Sequence, residues 1–180
     1  AAVVRAISVD AAARVRPDAR PVARPDAAPA RPIDPKSTVI DRIDWSNVSP
    51  TTSKTDARDL TRDGEKALSR GDHAKAAAQF ARVAKGWRSP EWGYIGLARV
   101  ALRTQDARNA VAMANKAFNA GGGLRAKLLL GEAQIANRDY KQATQTYRFV
   151  LDKAKRNKEM RLAARDGLEA VTRAQKKRRR

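Results

Sequence analysis

The amino-acid sequence predicts an all-α fold: a short solenoid of about three helical hairpins and a capping helix, preceded by a disordered N-terminal linker. Three observations predict it. Seven of the eight prolines lie before residue 56 and all ten glycines lie after it, so the chain changes character near Asp56. Beyond that point apolar residues recur at helical rather than strand spacing. Comparing the second region with itself reveals a fixed period: Gly64, Ala98 and Gly131 stand 34 and 33 residues apart, and Ala76, Ala110 and Ala143, then Phe80, Ala114 and Tyr147, keep the same two intervals.

Residues 1–56 read as a linker. Between residues 11 and 35 they are built almost entirely from Ala, Arg, Pro, Asp and Val. Proline every few residues removes backbone donors, and the scarcity of large apolar side chains leaves nothing to offset the entropy of ordering. Within this region residues 39–48 stand out as a possible docking segment. Ile40, Ile43 and Trp45 offer apolar anchors, and Asp41 and Asp44 offer charges that arginines of the hairpins or of a partner would meet.

The period divides the remainder into repeats at 57–90, 91–123 and 124–155. A polar turn precedes each second helix: Arg70-Gly71-Asp72, Thr104-Gln105-Asp106 and Asn137-Arg138-Asp139. Aspartate there supplies a helix N-cap, and Gly71 tolerates left-handed backbone. A small residue where paired helices cross lets their axes approach, while Phe80 and Tyr147 fill the space beyond. In the second repeat Ala114 replaces the aromatic, which predicts thinner packing. Gly121-Gly122-Gly123 reads as an inter-repeat turn that needs unusual backbone angles. An amphipathic helix over 156–175 caps the array, with a frayed basic tail at 176–180.

The small residues at the crossings and the larger residue between units resemble the tetratricopeptide repeat (TPR) family over residues 57 to about 155. The resemblance implies a non-catalytic scaffold for protein–protein interaction, in which the first helix of each pair lines a concave groove. It places Arg62, Trp92, Arg99, Arg103 and Arg125 in that groove, where arginine forks suit carboxylates and Trp92 adds an apolar anchor. An acidic protein or peptide is the implied partner. Glu65 and Glu132 stand where the family's carboxylate-clamp members carry amides, which argues against chaperone-tail binding. Alanine-, proline- and arginine-rich linkers of this kind also resemble those that precede short TPR arrays in bacterial signalling and envelope proteins, so the chain reads as the C-terminal module of a larger protein.

Composition narrows the chemistry. Cysteine is absent and His73 is the sole histidine, which removes disulfides, thiolate zinc sites and nucleophile pairs that use Cys or His. No catalytic residue, metal or cofactor is expected. His73 reads as half-buried packing, and the absence of thiols leaves both bacterial cytoplasm and periplasm open. The net charge of +19 is unevenly spread: residues 1–56 carry +2, residues 57–123 carry +6 and residues 124–180 carry +11. The alternative function is therefore binding of an anionic polymer such as nucleic acid through the basic C-terminal segment. No aromatic residue is interleaved with the Lys/Arg run at 176–180, which weakens that alternative.

Overall fold

The computed structural model describes residues 37–86 and 88–178, and among them every regular element is helical. Seven α-helices follow one another: α1 (Lys54–Ser69), α2 (His73–Lys85), α3 (Pro90–Arg103), α4 (Ala107–Ala117), α5 (Gly123–Ala136), α6 (Tyr140–Lys153) and α7 (Lys158–Arg178). A kinked segment with π-type bonding, Phe118–Gly122, joins α4 to α5 and leaves helical geometry at Gly121 (φ 100°, ψ 9°). Each helix packs on the next, while α1, α3, α5 and α7 also touch in succession.

Helix starts follow side-chain chemistry. Ser53 accepts a hydrogen bond from the Asp56 amide, and Asp72 and Asp106 do the same for Lys75 and Asn109. Pro90 opens α3, where its missing N–H costs nothing. Asn157 caps α7 through the Met160 amide at 3.0 Å.

The turns inside the hairpins share one geometry. Gly71, Gln105 and Arg138 all have positive φ, at 80°, 59° and 65°. The next residue's amide reaches back to the carbonyl five residues earlier: Asp72 to Ala67, Asp106 to Ala101 and Asp139 to Gln134, at 3.0, 2.8 and 2.8 Å. This is a Schellman closure, which satisfies carbonyls that the helix end would otherwise leave unpaired. Only the first turn places glycine at the left-handed position. Between α4 and α5, Gly121 and Gly123 have φ of 100° and 57°, and the space around both is open, so conformation rather than crowding demands glycine there.

Packing centres on two aromatic plugs. Phe80 on α2 is fully buried, with its ring against Gly64 of α1 and Gly96 of α3. Tyr147 on α6 lies in the same way against Gly131 of α5 and Gly167 of α7. Gly93 goes further, because a Cβ there would fall on the Phe80 and Ala84 backbone. The middle interface is filled differently. Ala114 is completely buried, and one period of 33 residues after Gly96 stands Leu129, 9% exposed in the same apolar cluster. A leucine here stands where the other two joints have a glycine beside an aromatic ring.

Three boundaries also need correction. Residues 37–56 do not continue the linker: they include the start of α1 and a strap packed on the helices, held there by buried apolar side chains. The first hairpin begins at Lys54, not residue 57. The last helix extends past residue 175, since Lys176 and Lys177 remain helical instead of fraying. Linker residues 1–36, Trp87 and residues 179–180 lie outside the described residues.

These contacts set the expected stability changes, measurable by urea or thermal unfolding. Gly93→Ala destabilises by about 3 kcal/mol, since the obstructing atoms are backbone. Arg138→Gly stabilises by about 1 kcal/mol by relieving a left-handed L-residue. Equal midpoints for Arg138→Gly and the parent would contradict the turn assignment.

Candidate binding groove

The first helices of the three hairpins present side chains at helical spacing to one concave surface. Thr61, Glu65, Leu68 and Ser69 come from α1; Trp92, Ile95, Arg99, Leu102 and Arg103 from α3; Arg125, Leu128, Leu129 and Glu132 from α5. They line two adjoining cavities of about 520 and 550 Å³, which share Glu65, Arg99, Leu129 and Glu132. The floor is apolar, and charge runs along its middle.

That charge is not uniformly basic. Glu65, Arg99 and Glu132 occupy equivalent positions of the three hairpins, 34 and 33 residues apart. The Arg99 guanidinium is bonded to the Glu65 carboxylate. Partial desolvation within the groove raises the Glu132 carboxyl from its ordinary value although the residue as a whole is exposed, and the nearby Arg99 partly opposes the shift. Arg99 thus has one bonded carboxylate partner in its own chain, and the pair remains exposed to solvent. The expectation of a basic groove is corrected to one of mixed charge.

The other expected contacts divide. Arg103 and Arg125 line the groove, exposed and with no ion pair among the described residues. Trp92 lines it too, but also packs against the buried Ala57, Leu60 and Val83, so part of its surface is structural. Arg62 is not in the groove: it is exposed and bonds Asp59 on its own helix at 2.8 Å. The 34-residue interval that aligned Gly64 with Ala98 also pairs Glu65 with Arg99 one position later. This neutralising row was therefore legible in the sequence.

Residues 37–53 cross the opposite side of the helices. Ile40 is 3% exposed in a cluster with Ala76, Ala77, Ala110 and Met113, and Val39, Ile43 and Trp45 pack around it. Asn109 on α4 donates to Asp41 at 2.8 Å and to the Thr38 hydroxyl at 3.2 Å. This bond and the Thr38 amide hold the Asp41 carboxyl below the usual carboxylate range. Lys85 on α2 donates to the Trp45 carbonyl at 2.7 Å, and the Thr51 amide donates to the Arg82 carbonyl at 3.2 Å. The expected acid–arginine contacts are corrected. Asp41 uses an amide partner, while Asp44 accepts from Ser46 and Asn47 within its own turn. A pairing between residues about 70 apart, one of them a neutral amide, has no short-range signature.

His73 is half-buried, with an enclosed Nδ1 that has no hydrogen-bond partner. Among the described residues no three His, Asp or Glu side chains gather as metal ligands, and no helix is long and apolar enough to cross a membrane. Comparison with protein-family models, curated proteins and solved structures returned no match.

Removing the Ile40 anchor loosens the strap. Ile40→Ser gives up about 2 kcal/mol of burial, so trypsin cleaves after Arg42 at least about tenfold faster than in the parent, under conditions where the helices remain intact. An unchanged cleavage rate would show that Ile40 is not what holds the strap.

Proposed function

We propose that the chain is a TPR-type, non-catalytic interaction module whose groove receives an extended acidic segment of a partner protein. The observation that carries this reading is the pair Arg103 and Arg125, exposed and with no ion pair among the described residues, beside the apolar side chains of Leu68, Trp92, Ile95, Leu102, Leu128 and Leu129. A carboxylate of the bound segment meets each guanidinium, and the apolar side chains between them cover the floor. The fixed Glu65–Arg99 pair contributes selectivity more than affinity, since a ligand that places an acid over Glu132 is repelled. The repeat period, the shared turn geometry and the aromatic plugs support a solenoid reading of the stack, in which α7 is the cap.

Selection from a displayed library of random peptides, with the full chain as bait, tests this reading. Enriched peptides carry acidic residues flanking apolar ones. Charge reversal at Arg103 and Arg125 weakens their binding about tenfold or more, at roughly 1 kcal/mol per exposed contact. Selection of peptides without acids, or full binding to the reversed variant, would overturn it. The raised Glu132 pKa adds a sign. As pH falls towards the carboxylate range, Glu132 takes up a proton before an ordinary glutamate does, while carboxylates of the peptide that keep their usual values stay ionised longer. Repulsion falls and affinity rises over that interval, and Glu132→Gln removes the pH dependence.

A further inference from the structure

We infer that the outer face of α6, with the parts of the π-helical segment, α5 and α7 that border it, binds single-stranded nucleic acid. This surface is separate from the groove. Residues 124–180 carry seventeen basic and six acidic residues. Among the described residues of this stretch a single ion pair occurs, between the neighbours Lys153 and Asp152 at 3.8 Å. The positive field is therefore left for a partner to neutralise, and a phosphate backbone does so with release of counterions.

Aromatic rings lie within that field. Phe149 on α6 is 40% exposed, an unusual placement for a large apolar side chain. The Lys127 ammonium lies 4.0 Å from the Phe118 ring and 5.6 Å from that of Phe149, and Lys153 lies 5.9 Å from Phe149. The π-helical segment, α5 and α6 each supply a member, so the cluster as a whole is assembled only by the fold. A base stacks on the Phe149 ring while the two lysines turn to the phosphates beside it.

At the other end of α6, Arg138, Tyr140 and Lys177 line a cavity of about 400 Å³, where two cations and a phenol hydroxyl suit a phosphate. Lys141 and Arg148 are exposed between the two ends. Tyr140 and Phe149 are nine residues apart, about 14 Å along the helix axis and half a turn out of phase, so a strand that reaches both crosses α6 obliquely instead of following one face. Single strands fit better than duplex, whose bases are already stacked. The ring and the cations beside it match the alternation of base and phosphate along a strand.

Fluorescence anisotropy of the full chain with labelled oligo-U and oligo-dT of twelve nucleotides tests the inference, with a twelve-base-pair duplex and polyglutamate as competitors. The single strands bind more tightly than either competitor. Phe149→Ala weakens binding about tenfold with little change in salt dependence. The pair Arg138→Gln and Lys177→Gln lowers the slope of log affinity against log salt by about 1.4, the value for two lost contacts to a single strand. Arg103→Gln, in the groove, leaves oligonucleotide binding nearly unchanged, which keeps this test apart from that of the peptide groove. Equal competition by polyglutamate, together with indifference to Phe149→Ala, would overturn the inference and indicate an acidic protein instead. All four variants change exposed side chains, and unchanged far-UV dichroism confirms that each folds.

Discussion

Helix spacing in this chain depends on two aromatic rings, each lodged between glycines of the helices on either side. Phe80 meets Gly64 and Gly96, and Tyr147 meets Gly131 and Gly167. A fully buried ring contributes a large apolar area, but only if the flanking helices lack the side chains that would occupy its place. Each plug therefore constrains three helices at once, and through them the alignment of α1, α3 and α5 that opens the groove. Burial also drives the Tyr147 phenol well above its usual range, with Glu132 adding to the shift. The plug is thus held neutral beside the groove's own carboxylate.

Much of this was legible in the sequence, because a repeat writes each requirement more than once. The glycine and alanine crossings, the polar turns and the aromatic plugs all share intervals of 34 and 33 residues. The same intervals contained the Glu65, Arg99 and Glu132 row, but opposite charges in register disclose a pair only when helices are set side by side. Arg62 was misplaced for a simpler reason: an aspartate three residues earlier lies on the same helical surface and takes it first. The strap was harder still. Its proline-containing, polar surroundings gave the signature of a linker, and its contacts join residues separated by most of two hairpins. The Phe149 cluster draws on three elements, which no window along the chain brings together.

The two sides of the molecule have opposite chemical characters. The groove side combines an apolar floor with acids and arginines that largely balance. The outer side is covered by the strap over α2 and α4, and at α6 it presents exposed cations and an exposed ring. On the proposals above, one side recognises shape with a few charges and the other recognises charge with one ring. The two differ accordingly in their dependence on salt.

The strap also changes the mechanics of the stack. By bonding to Arg82 and Lys85 on one hairpin and Asn109 on the next, it acts as a tie bar across the joint between the first two hairpins. No described segment ties the second and third hairpins in this way, and their joint holds Ala114, Leu129 and the glycine-bearing π-helical segment. Under load, or in thermal bending, the first two hairpins move as one stiff lever and the third swings as the compliant one. The width of the groove between α3 and α5 is then its adjustable dimension, while that between α1 and α3 stays fixed.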